Sequence, residues 1–146
     1  YSAVFYGDKG LVKIHGESER VIAMPEGDWQ LLEYTNDASE GDANSRSRSN
    51  ETLVAAAGTK NSPVVKVRKG ETALLPFGPP YKPLVEIQGE NRAGGNRSVL
   101  LGLLLQGSGE EICRDLRVNG RTPEQPSFVI ATKNNEIVER GAFEYG

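Results

Sequence analysis

The chain has 146 residues, of which 37% are hydrophobic and 25% are charged, and its formal net charge is -3. This length allows one mid-sized domain or two small ones. The acidic balance argues against nucleic acid or an anionic membrane as a partner, and no apolar run approaches the roughly 18 residues of a membrane-spanning helix. We therefore expect no nucleic-acid partner and no membrane insertion.

Short strands separated by turns are the dominant pattern along the chain. No window of about 11 residues has apolar side chains at helical spacing without an interrupting Gly or Pro. Runs with β-branched and aromatic residues recur instead, and turn residues separate them. The predicted strands are Ser2–Tyr6, Leu11–His15, Arg20–Ala23, Asp28–Thr35, Thr52–Ala57, Val64–Arg68, Thr72–Phe77, Leu84–Gln88, Ser98–Leu105, Glu110–Cys113, Ser127–Thr132 and Ile137–Arg140. This spacing predicts an all-β, Ig-like β-sandwich.

The strand Asp28–Thr35 contains the only tryptophan of the chain. A buried tryptophan covers more apolar area than any other side chain, so we expect this strand at the centre of the core. Strict alternation places Trp29, Leu31 and Glu33 on one face and Tyr34 on the other.

Residues 36–50 form a long polar segment without a large apolar residue. A loop of this length is usually functional or mobile, and its composition favours mobility. Asp37, Glu40 and Asp42 supply oxygen ligands of the kind that calcium binds, although their spacing is not that of an EF-hand loop. The alternative is an ordinary solvated loop.

The strongest break in the chain is Gly78-Pro79-Pro80. It predicts two small sandwiches in tandem, residues 1–79 with the long polar loop and residues 80–146. One continuous sandwich is the alternative, because the second unit would be marginally stable alone.

The segment Met24-Pro25-Glu26-Gly27-Asp28-Trp29-Gln30-Leu31 resembles the "LPxGxYxL" signature of prealbumin-like sandwiches. These include the carboxypeptidase regulatory-like domains and the Cna-B stalk domains of bacterial surface proteins. Trp29 stands where those families usually have Tyr. Residues 65–77 also resemble the "VxVxxGxTxxLxF" segment of the regulatory-like domains. The resemblance implies an extracytoplasmic structural or binding module, either secreted, periplasmic or on the cell surface, and it says little about activity.

The same resemblance implies one possible covalent chemistry. Cna-B domains often form a Lys–Asn or Lys–Asp isopeptide bond that a Glu in "YxLxE" promotes, and Glu33 stands at the matching position. Lys13 would be the amine, and a buried neutral carboxyl would transfer the proton. The pattern is incomplete, because residues 72–77 and 142–145 contain no Asn or Asp. The alternative is a solvent-exposed Glu33.

Catalytic and cofactor motifs are missing from the sequence. His15 is the only histidine, no nucleophile elbow surrounds any serine, and no Cys/His cluster suits zinc. No Gly-rich loop leads from a strand into a helix, as a phosphate site would require. Cys113 is the only cysteine, so no intramolecular disulfide forms and we expect a small buried apolar residue. We predict a protein that is not an enzyme and has no cofactor and no catalytic residue.

Three tyrosines, Tyr6, Tyr34 and Tyr81, are candidates for a ligand-binding aromatic surface, with core packing as the alternative. The leading prediction is a non-catalytic structural or protein-binding module. A carbohydrate-binding module is one alternative. A self-assembling surface or filament subunit, whose copies pair through edge strands, is the other.

Overall fold

The computed structural model of the chain describes residues 1–17, 20–39, 51–93 and 96–144. Its ten strands are β1 (Ser2–Gly7), β2 (Gly10–His15), β3 (Gly27–Ser39), β4 (Glu51–Ala57), β5 (Val65–Val67), β6 (Lys82–Ala93), β7 (Asn96–Gln106), β8 (Ile112–Val118), β9 (Ser127–Ala131) and β10 (Ile137–Ala142). The described residues contain no helix of the length and apolarity needed to cross a membrane. The fold is all-β with antiparallel pairings, as predicted, and is consistent with the β-sandwich class.

Eight strands form one sheet in the order β2-β1-β3-β4-β8-β7-β6, with β5 paired to β3, and β10-β9 form a two-stranded sheet. β4 and β5 both pair with β3, β4 with residues 33–39 and β5 with residues 27–29. Between them the chain leaves the sheet just after Gly58, whose N–H donates to the carbonyl of Leu32 at 3.0 Å. β3 is therefore the longest strand and the organising element of this sheet.

The chain divides into two compact units that interleave in sequence. The first unit contains Tyr1–Lys82 and Leu105–Thr122, and the second contains Pro83–Leu104 and Pro123–Gly146. The segment with β8 therefore belongs with the N-terminal strands. The boundary between residues 79 and 80, and the arrangement as tandem sandwiches, stay predictions.

The core of the first unit lies on one face of its sheet. It consists of Ala3, Phe5, Ile14, Trp29, Leu31, Tyr34, Val54, Ala56 and Val65. Half-buried side chains cover this face, among them Ile22 and Met24 from one segment and Leu75 and Phe77 from another. Residues 20–23 and 72–77 were both predicted as strands, and this prediction is wrong. Their apolar residues are explained by their position over the core, where they have no strand partner among the described residues.

A β-bulge interrupts the alternation of β3. The register with β1 shifts between Val4 and Phe5, which leaves Leu32 without a partner on β1. One extra residue in a strand reverses which face the following side chains occupy. Glu33 is consequently exposed and Tyr34 is buried, at 8% exposure. The predicted faces of these two residues are therefore wrong, whereas the predicted burial of Trp29 is confirmed.

The second unit has a much smaller interior. The rings of Phe128 and Phe143 pack at a centroid distance of 5.0 Å, and the N–H of Phe143 donates to the carbonyl of Pro126 at 2.9 Å. Phe143 is the only buried hydrophobic residue among the described side chains of this unit. Several aliphatic side chains of its strands remain exposed.

Candidate functional site

A carboxylate is fully buried where β8 begins. Glu111 has no exposed surface. Its Oε1 accepts the backbone N–H of Gly78 at 2.6 Å, and its Oε2 accepts that of Gly109 at 2.8 Å. Glycine at position 107 leaves room for this carboxylate, because an added Cβ would collide with it. Neutral donors thus satisfy a group that would be costly to bury alone.

Two tyrosines extend the hydrogen-bond network of Glu111. The hydroxyl of Tyr34 donates to Oε1 of Glu111 at 3.2 Å and lies 2.7 Å from the hydroxyl of Tyr81. A phenol has one proton, so Tyr81 donates to Tyr34. Burial is the largest cause that raises the pKa of Tyr34. The hydrogen bond and charge of Tyr81 raise it further, and Glu111 adds a smaller increase. Burial is also the largest cause that raises the pKa of Tyr81.

Further bonds join the turns around this network. Ser108 donates through its N–H to the carbonyl of Gly78 at 2.8 Å and through its hydroxyl to that of Pro79 at 2.9 Å. The hydroxyl of Thr59 donates to the carbonyl of Glu110 at 3.0 Å. Turns that are distant in sequence are therefore held together around one buried carboxylate. The arrangement orders the backbone, and the side chains of Glu111, Tyr34, Tyr81, Ser108 and Thr59 all bind other groups of the protein.

The raised pKa of Tyr34 predicts a loss of stability in alkaline solution. In the unfolded chain a tyrosine ionises near pH 10, whereas buried Tyr34 keeps its proton to higher pH. Above about pH 10 the unfolded state binds fewer protons, so the free energy of unfolding falls by about 1.4 kcal/mol per pH unit for this residue. Denaturant unfolding between neutral and strongly alkaline pH measures this slope. Tyr34→Phe should make the free energy of unfolding depend less steeply on pH in this range. An unchanged dependence would contradict the raised pKa of Tyr34.

A half-open groove of about 1260 Å³ lies over the core face of the first unit. Phe5, Leu31 and Val65 form part of its floor, and Phe77 and Gly78 form part of one wall. The floor residues are at most 4% exposed, because the two covering segments lie over them. The accessible part of the groove is therefore made by those segments and by exposed charged residues beside them, such as Glu17, Lys69 and Glu71.

Two aliphatic side chains on the covering segments line this groove and project into solvent. Val21 is 83% exposed and Leu74 is 87% exposed. The second segment is anchored at its start, where Arg68 binds Asp28 at 2.8 Å and donates to the carbonyl of Gly27 at 3.3 Å. It is anchored at its end through Gly78, which Glu111 holds. The buried network thus positions one wall of the groove.

The structure does not bring the three candidate tyrosines together. Tyr6 is 43% exposed and its hydroxyl donates to the side chain of Gln30. It lies on the face of the sheet opposite the core, because it neighbours buried Phe5 on β1. Tyr34 and Tyr81 bind each other within the network of Glu111. No shared aromatic surface results from these three residues.

Lys13 and Glu33 lie in one row across the sheet. Both pair with Val4, Lys13 from β2 and Glu33 from β3. Both side chains are exposed, whereas the proton transfer implied by the family resemblance needs a buried carboxyl. The bulge at Leu32 is the reason that Glu33 faces solvent.

The other candidate residues do not form a site in the described part of the chain. Asp37 is exposed, and Glu40 and Asp42 lie outside the described residues. Among the residues described, no group of three His, Cys, Asp or Glu side chains is placed to hold a metal ion. His15 is exposed. Half-buried Cys113 donates to the carbonyl of Asp115 at 3.3 Å, and burial raises the pKa of its thiol.

Glu111 was not among the residues predicted from the sequence. One signal was available: Cys113 was expected to face the interior, and the period of two in a strand places Glu111 on the same face. The donors could not have been found this way, because Gly78 and Tyr34 come from distant parts of the chain.

No family model, curated protein or solved structure matches this chain. The resemblance to prealbumin-like domains therefore stays a prediction.

Proposed function

We propose that the chain is a non-catalytic binding module of an extracytoplasmic protein, and that its groove binds an apolar segment of a partner protein. The observation that carries this proposal is the pair of exposed aliphatic side chains, Val21 and Leu74, on the lining of one groove. Exposed apolar residues that surround a depression are typical of interaction sites, whereas isolated ones are ordinary.

The size of the groove favours a polypeptide over a small molecule. Its volume of about 1260 Å³ exceeds the roughly 300–1,000 Å³ of most small-molecule pockets. A partner in extended conformation would place its apolar side chains between the two covering segments. Its main chain would remain near solvent, where its polar groups stay satisfied.

The arrangement of polar groups supports a non-catalytic role. A catalytic acid or base must reach a proton of the bound substrate. In the described residues the carboxylate of Glu111 is enclosed by its own donors, and Tyr34 binds Glu111 and Tyr81. These groups hold the wall of the groove and bind one another rather than a ligand. An extracytoplasmic location rests on the family resemblance of residues 24–31.

The test uses a phage-displayed library of random linear peptides selected on the purified protein. We expect enrichment of apolar peptides, and we expect Leu74→Glu to weaken their binding about tenfold or more in calorimetric titration. Val21→Glu should act in the same direction. Both side chains are exposed, so the thermal unfolding of each variant should match that of the unmodified protein.

Leu11→Glu is the matched control, because Leu11 is 68% exposed and lies on β2, away from the groove lining. It should leave peptide binding unchanged. The proposal fails if no peptide is enriched, or if the enriched peptides are insensitive to Leu74→Glu. Binding of sugars on a glycan array with loss on Tyr6→Ala would favour the carbohydrate-binding alternative instead.

A further inference from the structure

The apolar floor of the groove is closed to solvent. Phe5, Leu31 and Val65 line the groove, yet none of them is more than 4% exposed. The two covering segments lie over this floor, and the second of them places Leu75 and Phe77 against the core. A partner can therefore reach the floor only if one of the covering segments moves.

The middle of the second covering segment, residues 71–75, is held by one apolar side chain. Residues 71–74 are exposed, and Leu75 is the only hydrophobic side chain of the five that packs against the core. The backbone of residues 72–75 forms no hydrogen bond with another described residue. Segments with few buried contacts and few backbone hydrogen bonds open at a low free energy. Residues 71–75 are termed the strap below.

Both ends of the strap are fixed. The N–H of Glu71 donates to the carbonyl of Arg68 at 3.1 Å and closes a turn at the start of the strap. At its end, the ring of Phe77 lies so close to Gly109 that a Cβ added there would collide with it, and the buried carboxylate holds the N–H of Gly78. The strap can thus lift while the chain on either side of it stays in place.

The other covering segment has more contacts with the core. It places two half-buried side chains, Ile22 and Met24, against the core cluster. The indole N–H of Trp29 also donates to the carbonyl of Pro25 at 2.9 Å and holds the end of this segment. The strap is therefore the part of the cover that opens at the lower free energy.

We propose that the strap opens locally, that its opening admits a ligand to the floor of the groove, and that Leu75 is the side chain that keeps it closed. The identity of the ligand rests on the proposed function, whereas the opening itself does not. The structure then represents the closed form of the groove, and a ligand binds more tightly to the open form.

The rate at which a thiol reagent modifies a buried cysteine measures this opening in the free protein. Cys113→Ser is the background, because Cys113 is the only cysteine and each variant then carries one thiol. Val65→Cys places that thiol on the floor, and Val54→Cys is the matched control, since both valines are 4% exposed and Val54 does not line the groove. We expect modification of Val65→Cys to be about tenfold faster or more, and to depend less on urea, because local opening exposes less surface than unfolding.

Two Leu→Ala substitutions separate opening of the strap from unfolding of the whole unit. Leu75→Ala should speed the modification of Val65→Cys about fivefold or more, because it removes the contact that keeps the strap closed. Leu116 is also half-buried against the core but lies on β8. Leu116→Ala should therefore speed the modification of Val54→Cys and leave that of Val65→Cys unchanged. Circular dichroism checks that every variant is folded.

Equal rates and equal urea dependence at positions 54 and 65 would overturn the proposal, and so would a rate at position 65 that does not respond to Leu75→Ala. The selected peptides test the link to binding. Leu75→Ala should bind them about threefold more tightly or better, because apparent affinity rises with the open fraction, and equal or weaker binding would overturn that link. If no peptide is enriched, the proposed function fails, and the modification rates alone decide whether the strap opens.

Discussion

Replacing Trp29 with alanine is expected to lower the free energy of unfolding by about 3–5 kcal/mol. Trp29 is 1% exposed and lies in β3 between Gly7 of β1 and Val65 of β5. Its removal would leave a cavity at the point where three strands meet, and the surrounding backbone cannot collapse into it without breaking their pairing. Urea unfolding, followed by circular dichroism, measures the loss.

Trp29→Phe separates packing from hydrogen bonding at this position. The indole N–H donates to the carbonyl of Pro25 at 2.9 Å, and phenylalanine retains an aromatic ring but no donor. We expect an intermediate loss of about 1–3 kcal/mol. Leu32→Ala, at a 45% exposed position of the same strand, is the control and should cost less than about 1 kcal/mol. A loss of that size for Trp29→Ala would contradict a central role of Trp29 in the core.

Glu111→Ala is expected to cost about 3–5 kcal/mol, although Glu111 is a charged residue outside the hydrophobic core cluster. The substitution leaves the N–H groups of Gly78 and Gly109 and the hydroxyl of Tyr34 without their acceptor. Each unsatisfied buried donor costs about 1–3 kcal/mol, and water that enters the vacated space recovers part of this sum. The same urea unfolding measurement applies.

Glu111→Gln tests whether the carboxylate is needed or only its shape. The amide keeps one oxygen acceptor but turns an NH₂ group toward a backbone donor, so we expect a loss of about 2–3 kcal/mol. Glu110→Ala is the neighbouring control, because the side chain of Glu110 is exposed and its carbonyl still accepts from Thr59. Equal effects of Glu110→Ala and Glu111→Ala would show that the buried hydrogen bonds do not stabilise the fold.

The features that depend on residues close together in the sequence were predictable. The hairpin of β1 and β2 follows from the turn at residues 7–10, and the burial of Trp29 follows from its size and its strand. The bulge at Leu32 has no local signature, so the faces of Glu33 and Tyr34 were assigned by an alternation that the structure does not keep.

Features that depend on distant residues were not predictable in this way. Residues 72–77 have the composition of a strand, but a strand also needs a partner, and composition does not specify one. The acceptor role of Glu111 cannot be recognised from its own segment, since this role exists only after Gly78 and Tyr34 are near it. The groove has the same origin, because its floor and its walls come from segments that are separate in the sequence.

The position of Glu111 late in the chain also sets the order in which the first unit is completed during synthesis. Tyr34 and Gly78 leave the ribosome before Glu111, which follows them by 77 and 33 residues. At about 5–20 residues per second, the wait lasts on the order of seconds. Until then the turn at Gly78 has no acceptor, and water must solvate its N–H group. β8 follows directly after Glu111 and pairs with β4, so the first unit gains its last strand and the anchor of the groove wall in the same step.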